Sequence, residues 1–122
     1  MEVKMKYVCL VYGEEKDLYA MTPARLAKLD ADSLAYDRSV AQSGRLIIAQ
    51  ALQSVQTSKT VRRRKGKRLV TDGPFAETKE QLLGFVMIEA GDVDEALEIA
   101  GGIPLAEIGT IEVRAIYNVP GS

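Results

Sequence analysis

The side chains best able to do chemistry are concentrated in one stretch, Val70 to Gln81. Asp72 precedes a Gly73-Pro74 turn, Phe75 follows it, and Glu77, Lys79 and Glu80 come close behind. Asp72 has the type and setting of a general base or a substrate anchor, its charge countered by Lys79 or by Arg114 further along the chain. The same carboxylate is suited to cap the turn it precedes. Glu77, Lys79 and Glu80 could surround one small polar ligand. They could equally be the solvated face of a short helical turn, with Thr78 and Gln81 as its capping box. Arg114, inside an apolar final segment, favours a bidentate anion or carboxylate, either a ligand or Glu112 or Asp72 of the chain itself. Tyr12 lies near the end of the first strand, where its hydroxyl either enters a cleft or is satisfied in the core. The candidate site is therefore Asp72 as the catalytic or anchoring group, with Tyr12, Phe75, Lys79, Glu80 and Arg114 as ligand contacts.

Composition narrows the chemistry. None of the 122 residues is a histidine, which removes the commonest general base and the commonest metal ligand. Cys9 is the only cysteine, so a structural zinc site, a Cys-His pair and an intrachain disulfide are all excluded within one chain. No metal or cofactor is expected. If the chain is an enzyme, which the residues leave open, cofactor-independent acid–base chemistry is the class they support. Sixteen cations against seventeen acids give a net charge of −1, which points to neither nucleic acid nor a membrane surface. No apolar run approaches about 18 residues, so neither a transmembrane span nor a secretion signal is expected. A reducing, cytoplasmic setting fits the single cysteine.

These groups need elements to hold them. Lys4 to Tyr12 alternates as a strand, with Met5, Tyr7, Cys9 and Val11 on one face and Val8, Leu10 and Tyr12 on the other. Residues 13–17 read as a polar loop. Thr22 and Pro23 mark a helix start, and Ala24 to Ser43 carries a stripe through Leu26, Leu29, Ser33/Leu34, Asp37 and Val40/Ala41. Gly44 closes it. Leu46 to Leu52 is a second strand, and Gln53 to Val61 alternates as an exposed or edge strand would. Six of the seven residues from Arg62 to Arg68 are cations, with Lys65-Gly66 as a hairpin turn. Such a tip can bind nucleic acid or an acidic protein surface, or can guard a strand edge; no aromatic is interleaved to stack bases. Leu83 to Ala90 is a buried strand. Asp92 and Glu95 cap a second helix that buries Ala96, Leu97, Ile99 and Ala100. Ile111, Val113, Ala115 and Tyr117 form one face of a last strand.

The order predicts one α+β domain over residues 1–122: a ferredoxin-like βαββαβ sandwich with an inserted β-hairpin. Helices cover only one face of such a sheet, yet the first strand is apolar on both faces. A second copy packed sheet to sheet supplies the missing cover, so a homodimer is expected.

The run from Asp72 to Glu80 resembles the signature of the DGPF-type branch of the YCII-related family. The Lys6-Tyr7-Val8, Gly84-Phe85, Asp94-Glu95-Ala96 and Glu112-Val113-Arg114 segments extend the likeness over nearly the whole chain. The resemblance implies a dimeric α+β barrel with a cleft between sheet and helices. In the wider family a histidine and an aspartate suggest enzymatic activity; Asp72 matches the aspartate, and the histidine has no counterpart. The resemblance also implies a link to sigma factors of the extracytoplasmic-function class. Two functions follow as expectations: binding of a small polar or anionic ligand near Asp72, or a non-catalytic regulatory module tied to a sigma factor.

Overall fold

A computed structural model describes residues 4–122. The elements run β1 (Met5–Gly13), α1 (Glu15–Tyr19), α2 (Pro23–Gln42), β2 (Leu46–Ala51), β3 (Lys59–Arg64), β4 (Lys67–Asp72), β5 (Gln81–Ala90), α3 (Val93–Gly101) and β6 (Thr110–Ala115). The main sheet has the order β2-β5-β1-β6 with antiparallel neighbours throughout. This is the ferredoxin-like arrangement, and β3 with β4 is the hairpin inserted into it as a separate two-stranded sheet.

Local chemistry accounts for the boundaries. The Thr22 side chain accepts a hydrogen bond from the Arg25 N–H at 3.2 Å, and Pro23 occupies the first helical position of α2. Gly44 follows that helix with φ at 79°, a left-handed conformation that glycine adopts without penalty. Asp92 caps α3 by accepting from the Glu95 N–H at 2.9 Å. Lys65 and Gly66 both take positive φ, as a two-residue hairpin turn requires.

The helices cover one face of the sheet. Tyr7, Cys9 and Val11 from β1 and Val86, Ile88 and Ala90 from β5 meet Val40 of α2, Ala96 and Ala100 of α3, and Ile103. Cys9 and Ile88 are fully buried, and burial pushes the Cys9 thiol up to about 11, which leaves it an inert packing group. Val8, Leu10, Phe85 and Met87 face the other way. No helix of the described residues packs on that face, where the register sets Ile48 and Gln50 of β2 and Glu112 and Arg114 of β6 beside them.

Several expectations change. Residues 15–19 form α1 rather than a loop, and Glu15 is buried there. Residues 53–58 are not strand: a 3₁₀ turn at Val55–Thr57 precedes β3. No helical turn forms at residues 77–80; the Thr78 hydroxyl instead donates to the Glu80 carbonyl and the Gln81 amide to that of Thr78. Leu97 is half-exposed because α3 is inward-facing only along Ala96, Ile99 and Ala100. Tyr117 lies beyond β6 and is exposed. The basic tip joins β3 and β4, each of which is an edge of its own two-stranded sheet.

Gly84 lets β2 close on β5: a Cβ there would lie 2.6 Å from the Gln50 carbonyl oxygen and 3.1 Å from the Ala51 Cα. Backbone atoms cannot turn aside as a flexible side chain can. Gly84→Ala is therefore expected to cost about 1–3 kcal/mol, read as a lowered midpoint in urea denaturation. An unchanged midpoint would contradict this close approach.

Candidate functional site

Tyr36 and Val40, toward the C-terminal end of α2, pack on the core, whereas Leu26, Leu29 and Ser33 nearer its start line a cavity of about 630 Å³. The sheet supplies the opposite wall through Val11, Ala49 and Val86, and Leu105 closes one side. A volume of this size suits a small molecule, and the lining is mainly apolar. Among the described residues its ionisable groups are Glu15, Tyr19, Asp30 and Asp37, with no lysine or arginine at its border.

Glu15 is 8% exposed, and its carboxylate is held from its own helix and from the connection after β2. The Tyr19 hydroxyl donates to one oxygen at 2.9 Å, and the Val55 N–H donates to the other at 2.8 Å. Its own N–H donates at 2.9 Å to the Gln81 side chain, which in turn donates to the Thr78 carbonyl at 2.7 Å. Burial alone would raise the Glu15 carboxyl, but the Val55 N–H, Ser54 and Tyr19 outweigh it and hold the group below the ordinary carboxylate value of 4.5. Glu15 therefore remains charged and ties α1, which helps line the cavity, to the connection after β2.

Asp37 is the contrasting acid. It is half-buried, and no hydrogen-bond or ion-pair partner accompanies it among the described residues. Burial pushes its carboxyl above the usual aspartate value. Asp30, Ser33 and Asp37 follow at helical spacing along the stripe of α2 that borders the cavity. The stripe had a visible signal, since Ser33 and Asp37 are polar residues at inward positions. Glu15 gave none, because three acids in a polar run look alike until the fold selects one for burial.

The residues anticipated from sequence lie elsewhere. Asp72 ends β4, exposed, and forms an ion pair with Lys59 across the hairpin rather than capping the Gly73 turn. That turn is held from the other strand: the Gly73 N–H donates to the Ser58 carbonyl at 2.7 Å, and the Thr60 hydroxyl donates to the Gly73 carbonyl at 2.9 Å. Phe75 is 78% exposed. Lys79 is exposed and Glu80 half-buried in the segment leading into β5. Tyr12 sits opposite Leu82 at the irregularity between β1 and β5. Arg114 is exposed opposite Val8 on β6 and forms no salt bridge with Glu112 or Asp72. None of Tyr12, Asp72, Phe75, Lys79, Glu80 and Arg114 lines the cavity.

An antiparallel sheet covered on one face, with a ligand-sized cleft under its first long helix, defines an α+β protein of ferredoxin-like topology. The chain belongs to the YCII-related domain family, whose model matches residues 5–120. It is also similar to an uncharacterized protein of Rhizobium meliloti (strain 1021), with 37% identity over 121 residues that span 96% of this chain and 97% of the relative. Among the described residues no helix is long and apolar enough to cross a membrane.

Glu15→Ala leaves the Val55 N–H and the Tyr19 hydroxyl without their acceptor, at an expected cost of about 2–3 kcal/mol at pH 7 by urea denaturation. Because its folded pKa is depressed, the stability that Glu15 contributes is fully present well above pH 4.5 and is lost as pH falls through the folded value. The Glu15→Gln variant should accordingly lose less stability than the parent chain between pH 7 and pH 3. Equal losses would remove Glu15 from the acid response.

Proposed function

We propose that the chain binds a small molecule in the cleft between α2 and the sheet, one with an apolar body and a cationic or hydrogen-bond-donating group directed at Asp37. A half-buried carboxylate without a partner, on the wall of a cleft that Leu29, Ala49 and Val86 also line, carries this reading. Holding such a group partly out of water is costly unless something arrives to pair with it. The absence of lysine and arginine from the lining counts against an anion at this position. The proposed focus thus moves from Asp72 to Asp37, and the polar ligand expected from sequence becomes a donor rather than an anion.

Asp37 is also the lining group best suited to proton transfer, because a raised carboxyl pKa keeps both protonation states accessible nearer neutrality. Any reaction in the cleft would use it as acid or base, with Ser33 four residues earlier on the same helix face. The DGPF-type likeness of residues 72–80 supports placing the chain in that branch of the family.

The uncovered sheet face supports assembly as a two-fold pair. Val8, Leu10, Phe85 and Met87 form an apolar surface that a second copy could bury against its own.

Asp37→Asn removes the charge while keeping the shape. In a thermal-shift screen of small amines with apolar substituents, hits on the parent chain should bind this variant at least tenfold more weakly. Their affinity for the parent should also fall with acidification, starting at a higher pH than for a freely solvated aspartate. Equal binding by the variant would exclude Asp37 as the anchor. For the pair, Met87→Lys should shift native mass spectra toward monomer; an unchanged dimer would place the interface elsewhere.

A further inference from the structure

Charge is strongly segregated along the chain. Lys59 and the six cations from Arg62 to Arg68 make seven of the sixteen, while Asp72 is the only acid between residues 59 and 72. The hairpin therefore carries +6. The remaining nine cations and sixteen acids leave the rest of the chain at −7, so a total of −1 conceals two large opposite charges.

Among the described residues the hairpin is also left largely exposed. Every residue of β3 and β4 except Thr60 is exposed, including Val61 at 64% and Leu69 and Val70 at 49% each. A two-stranded ribbon with no further cover is marginal in water. Its register makes matters worse, since Arg63 faces Arg68 and Arg64 faces Lys67 across the strands. Like charges directly opposite one another destabilise a ribbon. Among the described residues, no carboxylate forms a salt bridge with any of the six cations between Arg62 and Arg68. The chain as a whole exposes 8878 Å². A compact monomer of 13.3 kDa is expected to expose about 6,500 Å². The difference exceeds the roughly 800 Å² that each partner contributes to an ordinary protein–protein interface.

We infer that the β3–β4 hairpin is an arm that docks on the acidic body of a second copy of this chain. Charge complementarity selects that occupant: +6 on the arm meets −7 on the body, and in a two-fold pair each copy both gives and receives an arm. The acids available on the body include Asp30 on α2 and Asp94 and Glu98 on α3. Val61, Val70 and Leu69 decide against a nucleic acid, because a phosphate backbone relieves the arginines but offers apolar side chains no cover. The body at −7 would in addition be repelled by a duplex. This inference rests on the paired state proposed above, with contacts that the sheet face alone does not provide.

The test joins amines to carboxylates without a spacer. Unlabelled and ¹⁵N-labelled chains are refolded together, native mass spectrometry establishes that mixed pairs have formed, and a carbodiimide then couples lysines to acids in contact with them. Peptides linking Lys65 or Lys67 of one isotope to a body carboxylate of the other are the expected result. The Arg62→Glu, Arg63→Glu, Arg68→Glu triple variant, whose changes are all at exposed positions, should lose these links and weaken pairing at least tenfold at low salt. Pairs that yield only same-isotope arm links, or none, would overturn the arm while leaving the sheet-to-sheet pair intact. A monomer in native mass spectra would overturn both. Tight binding of a duplex DNA fragment by the parent but not the triple variant, without mixed links, would overturn the arm in favour of nucleic acid.

Discussion

A carboxylate removed from water must be met by donors, and Glu15 is where this chain satisfies that demand. Desolvation of such a group costs several kcal/mol, so a depressed carboxyl pKa means that the donors more than compensate. Those donors come from α1 itself and from the connection after β2, while the neighbouring N–H is anchored by the first residue of β5. Three segments distant in sequence are thereby fixed around one charge. The α1 part of the cleft lining, the connection into the hairpin and the start of a central strand are all tied to it.

A second constraint acts on the whole sheet. Two long helices can cover one face of four strands, and here they do so unevenly. Tyr36 and Val40 press α2 onto the core, and α3 approaches through alanines, so both helices sit close at one end. Arg45 adds an ion pair to Glu95 there. At the other end Leu26 and Leu29 border open volume. Cleft and core are therefore two ends of the same packing arrangement. The uncovered face carries Val8, Leu10, Phe85 and Met87, which act as neighbours to one another within the monomer.

Much of the fold was legible in the sequence. The strand and helix order, the Thr22 and Asp92 caps, the Gly44 stop and the Lys65-Gly66 turn each rest on chemistry between residues at most a few positions apart. Such signals survive without knowledge of the fold. The candidate site was less legible. Asp72 and its neighbours form the most distinctive run in the chain, but in the fold Asp72 pairs with Lys59, thirteen residues earlier, on an exposed ribbon. Arg114 invited a partner that strand register does not bring to it, because Val8 stands opposite.

The sequence by itself determined the topology, the absence of histidine chemistry and the split between a basic hairpin and an acidic remainder, since these depend on residue types and short spacings. Only the tertiary structure decided which acid is buried and satisfied and which is half-buried and left alone. Glu14, Glu15 and Asp17 are interchangeable as a pattern, and Asp37 reads as one polar interruption in a helix stripe. Desolvation is a property of what surrounds a group, and those surroundings come from β2, β5 and the segment after α3, tens of residues away.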